Sequence, residues 1–170
     1  MRLNRLSLVN FRNYPRAEFD ICGNHIVLLG KNGTGKTNFL EAIHYLSLSR
    51  SFRTTQDASM TGIGKDFFSV SGDTAENEIR HHVEITYSQV TGKKIFFDTH
   101  RIKAKELGNR MSVVVFHGDD MNLIRSAASS RRRYLDIVLS QTDPEYYHAL
   151  AVYNHLMRQK KELLKKKIYR

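Results

Sequence analysis

The chain has 170 residues, 41% hydrophobic and 26% charged, with a net charge of +10. That is one domain, or one and part of another, long enough to bury about 70% of its unfolded surface. No apolar run approaches the ~18 residues of a membrane span, the charged start "MRLNRLSLVNFRNY" has no signal-peptide core, and the single cysteine excludes an internal disulfide; a cytoplasmic location and no membrane partner are expected.

The alternation in "RLNRLSLVNF" and in Ala17, Phe19 and Ile21 predicts an opening hairpin around "RNYPR". Cys22 and His25 are three apart but make only two potential ligands, so a packed thiol beside a strand is expected rather than a zinc site. "HIVLL" at 25–29 is short and fully apolar, the pattern of a strand buried inside a sheet. Phe39, Leu40, Ile43 and Leu46 then form a helical stripe, and "SLSRSFRTTQDASMTGIGKD" reads as an exposed loop. "FFSVSG", "HHVEITYS" and "KKIFFDTH" read as strands, with a turn at "QVTG", and "VVVF" at 113–116 as another buried strand. Beyond residue 130 the pattern is helical. "RRRYLDIVLS" leads to a second helix with Asp143 as N-cap and Pro144 in its first position. Tyr146, Leu150, Tyr153, Met157, Leu164 and Ile168 form its apolar stripe, for which little chain remains as cover. The expected division is 1–130 and 131–170.

Gly30, four residues, Gly35, Lys36 and Thr37 match the P-loop pattern G-x-x-x-x-G-K-[ST], between a strand-like and a helix-like run. Glycines let the backbone approach a ligand closely, successive N–H groups make an anion nest, and the helix start adds positive partial charge. Lys36 suits the β- and γ-phosphates of a nucleotide and the Thr37 hydroxyl suits Mg²⁺. Gly30, Lys31, Asn32, Gly33, Thr34, Gly35, Lys36, Thr37 and Asn38 are thus the candidate ATP-binding residues. The last thirteen residues carry seven Lys or Arg and one Glu, a stripe that suits a polyanion or simply a solvated helix face.

"GKNGTGKTN" resembles the P-loop of the SMC and RecF group of ABC-type ATPases. "LSLVNFRNY", "SRSFRT" at 49–54 and "SSRRRYLDIVLSQTDPEYYHALAVYNHLMRQKKELLK" resemble successive stretches of the RecF family, in the family's order. "HGDD" stands where that family usually has Pro-Glu-Asp, and "AASS" where it often has Gly-Ser-Pro. The resemblance covers about the first half of the family's chain. It implies an α/β P-loop ATPase head with a mixed or antiparallel sheet, followed by the start of a helical lobe. It further implies ATP with Mg²⁺, a homodimer with nucleotides sandwiched between heads, and binding to single-stranded and duplex DNA at gap junctions. RecO and RecR are the implied partners, and recombinase loading in DNA repair the implied role. Arg12 and Asn13 would approach the nucleotide, or form a polar hairpin turn. Arg50 and Arg53 would lie near the γ-phosphate or DNA, or on a solvated loop. Arg131, Arg132 and Arg133 would bind phosphate, or pair with Asp136 and the helix surface.

Hydrolysis needs a carboxylate at the end of an apolar strand. Asp98 follows "IFF" but falls in a hairpin pattern, "VVVF" runs into His117, and no "SGGQ"-like loop occurs. Asp119 and Asp120 suit Mg²⁺ or an N-cap. The chain alone is therefore expected to bind ATP with little turnover. Two other readings remain: a small P-loop kinase using Asp98 with an arginine clamp, and a nucleic-acid-binding module without catalysis.

Overall fold

The computed structural model describes residues 1–76, 79–108, 110–116 and 127–168, in two compact units, Met1–Val115 and Phe116–Arg170. The first contains strands β1 (Arg2–Phe11) and β2 (Tyr14–Asp20), helix α1 (Lys36–Leu48), a 3₁₀ turn (Asp57–Met60), strands β3 (Phe67–Glu76), β4 (Ile79–Ser88), β5 (Gly92–Phe97) and β6 (His100–Arg101), and the short helix α2 (Ala104–Gly108). The second contains α3 (Ala128–Thr142) and α4 (Pro144–Ile168).

The six strands form one sheet in the order β2-β1-β3-β4-β5-β6, with every neighbouring pair antiparallel. Period-two patterning decides its faces. Leu6, Leu8, Phe68, Val70, Val83, Ile85, Ile95 and Phe97 turn to one side, where Phe39, Ala42, Tyr45 and Leu46 of α1 complete the core. Phe68 is the hub, in edge-on contact with Phe11 at 5.4 Å and Tyr45 at 5.6 Å between ring centroids. The opposite face carries small and charged residues such as Ser7, Ser71 and Glu84, which pair across the ladder.

Two expectations need correction and a third needs refinement. The segment "HIVLL" is in no strand, and Ile26, Val27 and Leu29 are exposed, Leu29 by 90%. "VVVF" likewise joins no ladder among the described residues; only Val113 packs against the core, while Val114 and Phe116 are exposed. The reason is pairing. A buried apolar strand needs hydrogen-bonding neighbours, and neither segment pairs with the sheet edges at β2 and β6 or with any other described strand. The third concerns the stretch after α1, which is exposed over much of its length as expected but is anchored by Ser49, Ser51 and Met60, which are buried. Lys93 fixes it, donating to the Ser49 carbonyl at 2.7 Å and pairing with Asp57 at 2.9 Å. Asp57 also accepts from the Tyr45 hydroxyl at 3.0 Å. Two smaller differences concern Cys22, which is exposed rather than packed, and Leu40, which is 45% exposed because the buried face of α1 is rotated toward Glu41 and Tyr45.

In the second unit Asp143 caps α4 as expected, its Oδ1 accepting from the N–H of Glu145 at 2.8 Å and of Tyr146 at 3.2 Å. At 1.5 Å per residue, the 25 residues of α4 span about 37 Å. Tyr146 reaches α3, its hydroxyl donating to Asp136 at 2.6 Å. Tyr153 and Leu164 of the apolar stripe are exposed. Among the described residues no helix is long and apolar enough to cross a membrane.

Gly72 of β3 lies against Leu46 of α1. A β-carbon there would lie 2.6 Å from Leu46 Cδ2, 2.8 Å from Leu3 Cδ1 and 2.9 Å from the Arg5 carbonyl oxygen. The leucine tips can shift, but the backbone oxygen is held in the ladder. Gly72→Ala is expected to lower stability by about 1–3 kcal/mol, read as a lower urea midpoint with an unchanged slope.

Candidate nucleotide site

The glycine loop runs directly into α1, whose N-cap is Gly35 at φ 108° with no side-chain cap. A helix that begins without a capping side chain leaves its first N–H groups for another acceptor. Gly33 at φ 83° and Gly35 are left-handed positions that few other residues adopt. The Thr34 hydroxyl donates to the Lys31 carbonyl at 2.9 Å. The Lys36 ammonium donates to the carbonyls of Gly30 and Lys31, both at 2.7 Å, and so spans the loop from helix to entry. Thr37 is exposed in the first turn of α1, and Lys31, Asn32 and Gly33 are exposed at the loop's crown. An ammonium, an exposed hydroxyl and an uncapped helix start fit a triphosphate with a divalent cation; Thr37 would hold the cation.

The turn between β1 and β2 clasps this loop. Asn13 Nδ2 donates to the Thr34 carbonyl at 3.2 Å and the Tyr14 hydroxyl to the Gly35 carbonyl at 3.1 Å. Asn38 Nδ2 in turn donates to Asn13 Oδ1 at 2.8 Å. Arg12, at φ 54°, begins the turn. Its Nε and Nη2 donate to the Glu41 carboxylate at 2.9 and 2.6 Å, and its Nη1 to the Ser59 carbonyl at 2.8 Å. Arg53 comes from the loop after α1, with Nη1 donating to Asn38 Oδ1 at 2.8 Å and Glu41 Oε2 at 3.2 Å. Ser51 adds its hydroxyl to Glu41 Oε1 at 2.5 Å.

The structure thus gathers Arg12, Asn13, Asn38 and Arg53 at the loop and the start of its helix. Arg50 has an exposed side chain, and its carbonyl accepts from His44 Nδ1 at 2.9 Å; burial lowers the His44 pKa from its ordinary value. Arg131, Arg132 and Arg133 are exposed on α3 in the second unit, where Asp136 accepts from the Tyr146 hydroxyl. Asp119, Asp120 and His117 lie outside the described residues. Asp98 sits in the turn after the antiparallel strand β5, at φ 55°, accepting from His81 Nδ1 at 3.0 Å and the His82 N–H at 2.8 Å. Those bonds, the His81 one foremost, hold its carboxyl below the usual range. They account for Asp98 as a turn residue, as its hairpin pattern suggested.

Sequence reasoning missed Glu41, Ser51 and Tyr14. The available signal was a carboxylate between Leu40 and Ala42, the single acidic residue of α1. Its meaning depends on two arginines 29 and 12 residues away.

A family model described as an AAA domain matches residues 5–169. The chain belongs to this family. The curated DNA replication and repair protein RecF of Chlamydia abortus is 39% identical over 168 residues, covering 98% of this chain and 46% of the relative. A solved structure titled as the recombination mediator protein RecF with ATP in the RecFOR pathway superposes with a TM-score of 0.90 at 30% identity, over 97% of this chain and 45% of that one. A structure from a study of SMC ATPases, at 17% identity and a TM-score of 0.67, covers 81% of this chain and 99% of its own, and shares the fold. The expected RecF resemblance and ATPase-head fold are therefore borne out, and the chain spans about half the length of the curated relatives it matches.

The clasp makes a prediction at Gly35. A β-carbon there would stand 2.8 Å from both Asn13 Oδ1 and the Tyr14 hydroxyl, on a left-handed backbone. Gly35→Ala is expected to cost about 1–2 kcal/mol from the backbone alone, measured by denaturant unfolding.

Proposed function

We propose that the chain is the ATP-binding part of a RecF-like DNA repair and replication protein, with Mg²⁺ seated by Thr37. The observation that carries this reading is the loop tied by Lys36 and clasped by Asn13 and Tyr14 ahead of an uncapped helix. Residues 1–130 form the nucleotide lobe and 131–170 the start of the helical lobe. The names of the RecF relatives, DNA replication and repair protein and recombination mediator, support DNA as the polyanionic partner; binding to single-stranded and duplex forms, with recombinase loading at gaps, extends that proposal. RecO and RecR, ATP-dependent pairing of two heads and a cytoplasmic setting belong to the same proposal. The kinase alternative loses support, because Asp98 is a turn residue after β5, which β3 and β4 separate from β1 in the sheet, and it is hydrogen-bonded to His81 and His82. A binding module without hydrolysis remains a description of this chain taken alone.

Charged hydrogen bonds such as those from Lys36 to phosphate are worth about 1.5–3 kcal/mol. Lys36→Ala is therefore expected to weaken a fluorescent ATP analogue by about tenfold to two-hundredfold; it also removes the ties to Gly30 and Lys31. Equal affinities would refute the nucleotide assignment. Phosphate release by the same preparations should stay near background, far below the usual enzyme range of about 1 s⁻¹ or more.

If Arg131, Arg132 and Arg133 contact DNA, each lost phosphate contact lowers the slope of log K against log salt by about 0.9 on duplex DNA. Changing all three to Ala should flatten that slope. An unaltered slope assigns them to the helix surface.

A further inference from the structure

Glu41 is fully buried in α1, yet it meets two cations from separate parts of the chain. Its Oε1 accepts from Arg12 Nη2 and the Ser51 hydroxyl, and its Oε2 from Arg12 Nε and Arg53 Nη1. Four donors fill the lone-pair capacity of a carboxylate. One negative charge against two positive ones leaves a surplus positive charge beside the first turn of α1. The two arginines use it differently. Arg12 commits Nε, Nη1 and Nη2 to the protein, and its side chain is only 18% exposed. Arg53 commits Nη1, to Glu41 and Asn38, and its side chain is 45% exposed. Asn38 directly follows Thr37 in the first turn of α1, and its Oδ1 holds Arg53 Nη1 there.

We infer that Glu41 is a positioning residue for the nucleotide: it fixes the direction of Arg53 toward the phosphates, while Arg12 supplies the second charge that keeps Glu41 from neutralising Arg53. This rests on the ATP-binding reading above. The carboxylate touches no phosphate itself, and its effect passes through Arg53. The ligand class it serves is a polyphosphate, whose planar oxygen pairs match a guanidinium fork.

The test is a double-mutant cycle on the whole chain, with a fluorescent ATP analogue as probe and melting temperature recorded in parallel. Glu41→Gln and Arg53→Gln are each expected to weaken binding by about tenfold. The double variant should also be weaker by about tenfold, because both changes remove the same contact. Glu41→Asp, which keeps the charge, should recover most of the affinity. A double variant about a hundredfold weaker, or a Glu41→Gln protein with a lower melting temperature but parental affinity, would overturn the inference and leave Glu41 a structural ion pair. Should Glu41→Gln fail to fold, Arg12→Gln serves instead. It lets Glu41 neutralise Arg53, so it should weaken binding in the parent and not in Arg53→Gln; equal losses in both backgrounds overturn the inference. A parent chain that does not bind the analogue overturns the nucleotide reading and this role together. Parental binding with independent losses overturns the role alone.

Discussion

The buried carboxylate of Glu41 is the point on which three otherwise separate segments converge: the β1–β2 turn through Arg12, the P-loop helix that carries it, and the loop after that helix through Ser51 and Arg53. Removing both arginines would leave a buried charge without compensation, which typically costs about 3–5 kcal/mol, whereas losing one leaves the other in place. Replacing the whole cluster by apolar groups is often neutral, so stability alone does not explain why a helix should bury a charge there. What an apolar cluster would lack is direction. Hydrogen bonds from guanidinium to carboxylate fix angles as well as distances, and here those angles set the hairpin turn against the glycine loop.

From that junction the layout of the unit follows. The hairpin turn is held from beneath by Glu41 and Ser59 and reaches over the loop with Asn13 and Tyr14. The sheet supplies rigidity, its apolar face packed on α1 around Phe68 and its strand β5 tied back by Lys93 to Ser49 and Asp57. Both ends of α1 are thereby anchored, one by the arginine cluster and the other by the lysine. A phosphate site made of backbone N–H groups gains from such anchoring, since donors already in place need no reorganisation when charge arrives.

The exposed apolar segments have the same physical root as the ordered ones. Ile26, Val27 and Leu29 carry the composition of an interior strand but have no ladder beside them. An extended segment becomes a strand only through a neighbour, whereas a helix such as α1 satisfies its backbone internally. The chain spans 46% of the length of its Chlamydia abortus relative.

The sequence by itself determined whatever depends on neighbours close along the chain. The opening hairpin, the three following strands, the capping of α4 by Asp143 and the loop from Gly30 to Thr37 were all legible, because alternation, turn chemistry and fixed spacing are local signals. Resemblance added the ATPase-head fold, which the comparisons bear out. Only the tertiary structure decided the fate of "HIVLL" and "VVVF", since burial of a strand is a property of its partners and not of its composition. Only it showed that Arg53 turns to the loop while the Arg50 side chain is exposed, three residues earlier in the same run. Glu41 is the clearest case: in the sequence it is one acidic residue in a helix, and it becomes the anchor of the site because folding brings Arg12 and Arg53 to the same two oxygens, from which water has been excluded.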